Sequence, residues 1–462
     1  MKHKGIFYAV ISVILLQGVS SCKLNPHEQE AKQATSDRRQ ETYVSTPDWV
    51  MRTNVYEVNI RQYTREGSFR EFENHLSRLK DMGVEILWLM PVHPISKKDR
   101  KGTLGSYYAV ADYYGINPEF GDMDDFKSLV RNAQRMGMKV IIDWVPNHTG
   151  ADHYWLETKP EFYVRDSAGN ARYAFDWSDT RELNYDNREL RDSMIAAMQF
   201  WIKEAGIDGY RVDVASEVPI DFWEEAIPKL RKLKPLFLLA EADQPELHKA
   251  GFNATYPWEV FHTMKAIAAG EKNALALDSV IKKNERSFPK GAGRLYFTSN
   301  HDENSWNRSD FGTFPGPKHA PFAILTHFLP GAIPLIYSGQ EEPVLRAIPF
   351  FEKDQMEFKN FQRAGFYKTL LKLRNRNKAT ELNASYRIIK TGDETRLFSI
   401  FRQAGSYKLL VVTNLSDSPA EVSINLPELT GTPKEVFSNK PVKLTLNDSF
   451  TLGPWEYRVF EY

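Results

Sequence analysis

Cysteine is almost absent from this chain: Cys22 is the only one in 462 residues, so no disulfide framework can form. Net charge is absent as well. Sixty basic side chains balance sixty acidic ones, which removes the electrostatic case for a nucleic-acid or anionic-membrane partner and leaves an uncharged ligand as the expectation. There is no internal repeat, no low-complexity segment beyond a polar stretch near the N-terminus, and no glycine-rich phosphate loop after the first strand-like run. Aromatics, by contrast, are plentiful at 13%, with 10 Trp and 21 Tyr, and the 42% hydrophobic content suits a large core with stacking surfaces.

Residues 1–22 read MKHKGIFYAVISVILLQGVSSC: a basic start, an apolar run too short to span a bilayer, then small residues. That order predicts an export signal. Its last four residues, VSSC, resemble the lipobox of bacterial lipoproteins, which implies a lipid anchor on Cys22 and a protein exported to a bacterial membrane, at the outer membrane, the cell surface or the periplasmic face. Residues 23–46 are polar enough to serve as a flexible tether.

From Trp49 onward, apolar β-rich runs alternate with amphipathic helical stretches closed by Gly or Pro. The runs VYEVNI, VEILWLM, KVIIDWV, DGYRVDV, LFLLAEA, FNATYPW, GRLYFTSN and AIPLIYSG number eight. Eight such units predict an α/β fold of the closed (β/α)8 TIM-barrel type, and continuous apolar runs suit parallel strands covered on both faces. The expected barrel spans residues 47–380 and includes an aromatic-rich inserted loop at 148–187, long enough to suggest function. Beyond it, residues 381–462 alternate like short antiparallel strands (RLFSIFR, YKLLVVTNL, AEVSINL, KLTLN, WEYRVFEY) and predict a C-terminal β-sandwich.

The charged residues inside these strands are the informative ones. Alternation puts Arg211 and Asp213 on one face of DGYRVDV, the inward face, where desolvation is expensive. Functional side chains of a parallel barrel gather at the C-terminal strand ends. Those ends supply Asp143, Asn147 and His148, then Arg211 and Asp213, Glu241, and finally Asn300, His301 and Asp302. A lone acid at a strand end is usually a cap or turn residue. Acids converging from three strands point to a site.

DWVPNH (143–148), GYRVDV (209–214), LLAEA with Glu241, and SNHDEN (299–304), supported by GSYYAVADYYGINPEFG, ELNYDN and PGAIPLIYSGQE, resemble the signature stretches of the alpha-amylase family of glycoside hydrolases. The resemblance runs from about Trp49 to the C-terminus. It implies a retaining enzyme acting on alpha-glucans such as maltooligosaccharides, with Asp213 as nucleophile, Glu241 as general acid/base and Asp302 gripping sugar hydroxyls. It also implies sugar contacts from His148 and His301 and a stacking aromatic at Tyr108, or at its neighbour Tyr107. Chemistry gives the same division of labour: Arg211 beside Asp213 favours an ionised carboxylate, whereas Glu241 follows an apolar strand with no neighbouring Arg or Lys and suits a raised pKa. The resemblance further implies a structural calcium held by Asn147 and Glu182, near Glu217, and no organic cofactor. A transglycosidase, an alpha-1,6-acting glucosidase, and a non-catalytic glycan-binding lipoprotein are the alternatives. Trp155, Tyr163, Tyr173 and Trp177 of the insert could stack on sugar or form a small core.

Overall fold

The computed structural model describes residues 46–462. The expected signal, tether and Cys22 anchor therefore lie outside the described residues, apart from the last tether residue. Among the described residues no helix is long and apolar enough to cross a membrane.

Eight parallel strands close into a barrel: β1 (Val55–Val58), β2 (Ile86–Leu89), β3 (Lys139–Trp144), β6 (Gly209–Val212), β7 (Phe237–Ala240), β8 (Ala254–Thr255), β9 (Gly293–Tyr296) and β10 (Ala332–Tyr337). Each of the eight apolar runs forms one strand, shorter than the run itself because its last residues bend into the mouth of the barrel. Two short strands of the insert, β4 (His148–Gly150) and β5 (Thr180–Glu182), pair antiparallel above β3.

Nearly every strand residue is buried, because helices cover the outer face while side chains fill the inner one. Helix Met123–Arg135 shows how the sequence sets these elements. Asp122 caps it with a reciprocal capping box to Asp125, and Phe126, Leu129, Val130 and Ala133 form its buried stripe. Helix Leu76–Met82 ends at Gly83 in the left-handed conformation just before β2. At the start of β6, a Cβ on Gly209 would lie 1.8 Å from the Phe237 carbonyl oxygen, so only glycine lets β6 approach β7 there.

The barrel interior is layered. Val55, Ile86, Ile141, Phe237, Leu239, Leu295, Ile333 and Leu335 belong to one apolar core cluster with Trp88. At the C-terminal ends the inner face turns polar: Glu57 pairs in register with Trp88, and Asp143 with Arg211. The costly inward charges thus sit in the top layer, at the mouth.

The C-terminal region is antiparallel, as expected. A six-stranded sheet of β11 (Ser385–Ile389), β12 (Leu397–Ala404), β13 (Tyr407–Asn414), β15 (Lys434–Glu435), β16 (Lys440–Pro441) and β18 (Tyr457–Glu461) shares a core with a β14–β17 pair (Ala420–Ser423 and Ser449–Leu452). KLTLN does not form a strand. Thr445–Asp448 makes a turn, and the strand pairing with β14 begins at Ser449. Buried Arg402 on β12 donates to the Phe328 and Leu329 carbonyls at 3.0 and 2.7 Å, fastening the sheet to the barrel.

Candidate active site

Arg211 is the hub of the mouth. It is 1% exposed and lies 3.0 Å from Asp143, 2.8 Å from Asp213 and 2.9 Å from Glu241. Its Nε donates to the Tyr256 hydroxyl at 3.3 Å, and its guanidinium faces the rings of Trp88, Tyr108 and Tyr256. Asp143 is satisfied on both oxygens: Arg211 on one, and the Trp88 indole and Tyr108 hydroxyl on the other at 3.2 and 3.1 Å. Burial still pushes its carboxyl up to about 6, against the pull of Arg211.

The contact between Arg211 and Glu241 corrects the expectation that Glu241 has no cation beside it. The cation comes from the adjacent strand: Arg211 is in register with Leu239, two residues before Glu241, and its long side chain reaches up to that level. The Val214 amide also donates to Glu241, at 2.9 Å. Val214 makes that bond from the left-handed region, φ 36°, a conformation rarely adopted by a β-branched residue and one that concentrates at functional sites.

One guanidinium therefore faces three carboxylates. Burial, then the charge of Glu241, pushes the Asp213 carboxyl well above the usual range, and Arg211 only partly offsets them. This reverses the sequence-based expectation that Arg211 by itself keeps Asp213 low.

A second cluster comes from β1 and β9. Asn300 caps the helix His301–Asn307 by accepting from the Glu303 amide, which sets His301 and Asp302 in the first turn. His301 Nδ1 lies 2.5 Å from Glu57 Oε1, and its Nε2 lies 3.1 Å from Asp302 and 2.9 Å from the Tyr108 hydroxyl. Burial disfavours its imidazolium, but Asp302 and Glu57 outweigh burial and raise its pKa well above the ordinary value. Burial likewise works against ionisation of Asp302, and His301 outweighs it, holding that carboxyl below the usual range. Although Asp302 is set deep among protein atoms, 40% of its side chain faces the opening.

Sequence reasoning passed over Glu57. It sits in an apolar strand as Arg211 does, and that was the available signal.

Tyr108, rather than Tyr107, belongs to the site. Its ring stacks on His301 with centroids 5.5 Å apart, whereas the Tyr107 hydroxyl donates to Asn59 and its ring lies under Arg61. His148 is fully buried, and burial lowers its pKa to about 4, so it is neutral. Its Nε2 has no protein partner, leaving a polar atom to serve a ligand. In the insert, Trp155 and Tyr163 are buried core, Tyr173 and Phe175 are exposed, and the Trp177 ring lies 5.4 Å from His148.

Asn147 and Glu182, the residues expected to hold calcium, both have protein partners. Both Glu182 oxygens accept from the Arg172 guanidinium at 2.6 Å, and the Asn147 amide meets His148 at 3.3 Å. Calcium takes six to eight oxygens from carboxylates, Asn or backbone carbonyls and water. Here a guanidinium pairs with the carboxylate. An open cavity of about 990 Å³, lined mostly by the insert, reaches from Asn147 and Glu217 to Arg165 and Tyr173.

A parallel barrel whose mouth gathers Asp213, Glu241 and Asp302 around neutral and cationic hydrogen-bond donors belongs to the glycoside hydrolases. Within that class the chain carries an alpha-amylase-type catalytic domain. Residues 46–175 and 166–250 match the alpha amylase catalytic domain, and residues 386–459 match the maltogenic amylase C-terminal domain. Alpha-amylase 2 of Dictyoglomus thermophilum is 24% identical over 88% of this chain and 75% of its own length. Alpha-amylase 3 of the same organism is 27% identical over 63% of this chain, and the match spans 64% of that relative's length. In three dimensions the chain resembles a noncanonic maltogenic alpha-amylase from Thermotoga neapolitana, with a TM-score of 0.82 and 26% identity over 90% of this chain and 99% of that one.

Proposed function

We propose that this chain hydrolyses alpha-glucosidic bonds, mainly alpha-1,4, in starch-derived glucans and maltooligosaccharides, with retention of configuration. The observation that carries the proposal is the single guanidinium in contact with both Asp213 and Glu241. It holds two carboxyl groups on one cation, and the retaining reading expects them about 5 Å apart, where an inverting pair lies farther apart around a water. Asp213 attacks the anomeric carbon while Glu241 gives its proton to the glycosidic oxygen, and the leaving sugar departs with that proton. Glu241, now a carboxylate, takes a proton from water as the water oxygen displaces Asp213. Asp302, ionised beside the His301 imidazolium, accepts from sugar hydroxyls, and the free Nε2 of His148 adds a further contact. Bonds of this kind that strengthen as the sugar becomes cation-like lower the barrier.

Product analysis by mass spectrometry and anomeric NMR on alpha-1,4, alpha-1,6 and cyclic glucans tests this reading. Retained alpha products from alpha-1,4 chains are expected. Inverted products overturn the mechanism, transfer to sugar acceptors makes the enzyme a transglycosidase, and binding without cleavage leaves a glycan-binding protein.

Two further readings complete the proposal. The insert is fixed by the Arg172–Glu182 pair in place of calcium. The chain is exported and lipid-anchored through Cys22, a reading supported by the order of residues 1–22. Fractionation of cells producing the full chain and its Cys22→Ala variant tests the anchor: membrane retention of the first and release of the second are expected.

A further inference from the structure

Trp306 is 58% exposed, unusual for a tryptophan one helical turn from a catalytic carboxylate. It lies in the helix that begins at His301, and a hydrogen bond from its side chain helps hold Asp302 ionised. Its ring packs on Phe350, with centroids 5.6 Å apart and planes 34° apart, and against Phe351 at 6.0 Å. Phe350 in turn lies nearly parallel to Tyr108, at 6.2 Å and 19°, and 6.3 Å from His301. The rings that frame the sugar at the point of cleavage thus continue outward, without a break, to an open indole face.

We infer that Trp306 is a stacking platform for a second glucosyl unit of the bound glucan, the one on the glycone side of the scissile bond. This rests on the hydrolytic reading above and extends it to substrate length. A pyranose ring presents a face of C–H groups that suits an aromatic surface, while its hydroxyls stay in water or on neighbouring polar groups. The side follows from topology. Trp306 and Phe350 come from the segments after β9 and β10, whereas Glu241, which protonates the departing chain, comes from β7, with β8 lying between β7 and β9 in the barrel order. The departing units lie toward Glu241, so Trp306 takes a unit that stays on the enzyme.

The test compares kcat/KM for 4-nitrophenyl alpha-maltoside, which has two glycone units, with that for 4-nitrophenyl alpha-glucoside, which has one, in wild type, Trp306→Ala and Trp306→Phe. The maltoside-to-glucoside ratio is expected to fall about tenfold in Trp306→Ala and to recover largely in Trp306→Phe. An equal loss on both substrates would mean that Trp306 acts only through Asp302, and no change in the ratio would mean that no unit stacks there; either overturns the platform. Calorimetric binding of maltohexaose separates this inference from the hydrolytic reading. A wild-type protein that binds maltohexaose about tenfold tighter than Trp306→Ala, yet cleaves nothing, defeats the hydrolytic reading and leaves the platform standing.

Discussion

Glu57 Oε1 lies 2.5 Å from His301 Nδ1, at the inner end of a line that runs through the imidazole to Asp302 and the Tyr108 hydroxyl. The carboxyl is fully buried and its other oxygen has no protein partner. Burial pushes it up, and His301 and Arg211 pull it back. Such a group is expensive, and its return is the charge of His301, which holds Asp302 ionised.

Glu57→Gln keeps an acceptor on the Nδ1 hydrogen but removes the charge. Because Glu57 and Asp302 raise the pKa of His301, the imidazolium persists through the neutral range and is lost as pH rises through that raised value. In the variant this loss comes earlier, so the alkaline limb of the kcat/KM profile moves to lower pH by about 1–3 units. A pH–rate profile checks this, and an unmoved alkaline limb would make Glu57 a space-filling residue only.

Arg211→Met leaves Asp143, Asp213 and Glu241 buried without their common cation. Activity is expected to vanish, and stability at neutral pH to fall by about 3–5 kcal/mol. The abandoned carboxyls titrate higher in the folded chain than in the unfolded one, so the folded state binds more protons and the deficit narrows as pH falls. Urea unfolding at pH 5 and pH 7 reads the difference.

Buried His93, ringed by Tyr113, Trp144 and Trp201, has no partner on either nitrogen, and burial lowers its pKa to about 3. A depressed histidine supports the fold above its unfolded pKa near 6.5, and that support drains as pH falls toward 3, by about 1.4 kcal/mol per pH unit. His93→Phe sacrifices no hydrogen bond and is expected to be more acid-resistant. Thermal melts from pH 7 to pH 4 check this: the gap between variant and wild type should widen as pH drops.

With Arg172 on Glu182, a chelator should leave the melting temperature unchanged, and added calcium should not raise it. A rise of several degrees with calcium would show oxygen ligands that the guanidinium has not displaced.

The barrel was legible because each strand is a continuous apolar run, and most of the site because charges on inward faces stand out against such runs. Relationships that cross the chain were not. His301 and its partner Glu57 are 244 residues apart, and the cation of Glu241 arrives from a neighbouring strand whose register only the closed sheet defines. Tyr107 and Tyr108 are adjacent in one turn, where no periodicity tells which ring faces the mouth. KLTLN alternates like a strand, but the strand that pairs with β14 begins only after the turn at Thr445–Asp448.

The proposed chemistry turns on a covalent bond between Asp213 and the sugar. Incubation with a 5-fluoro glycosyl fluoride of the alpha-gluco series, which slows release of the intermediate, followed by digestion and peptide mass spectrometry, tests that bond. One glycosyl unit on the peptide containing Asp213, absent from Asp213→Asn, is expected. A label on Glu241 or Asp302, or hydrolysis with inversion and no label at all, would contradict it.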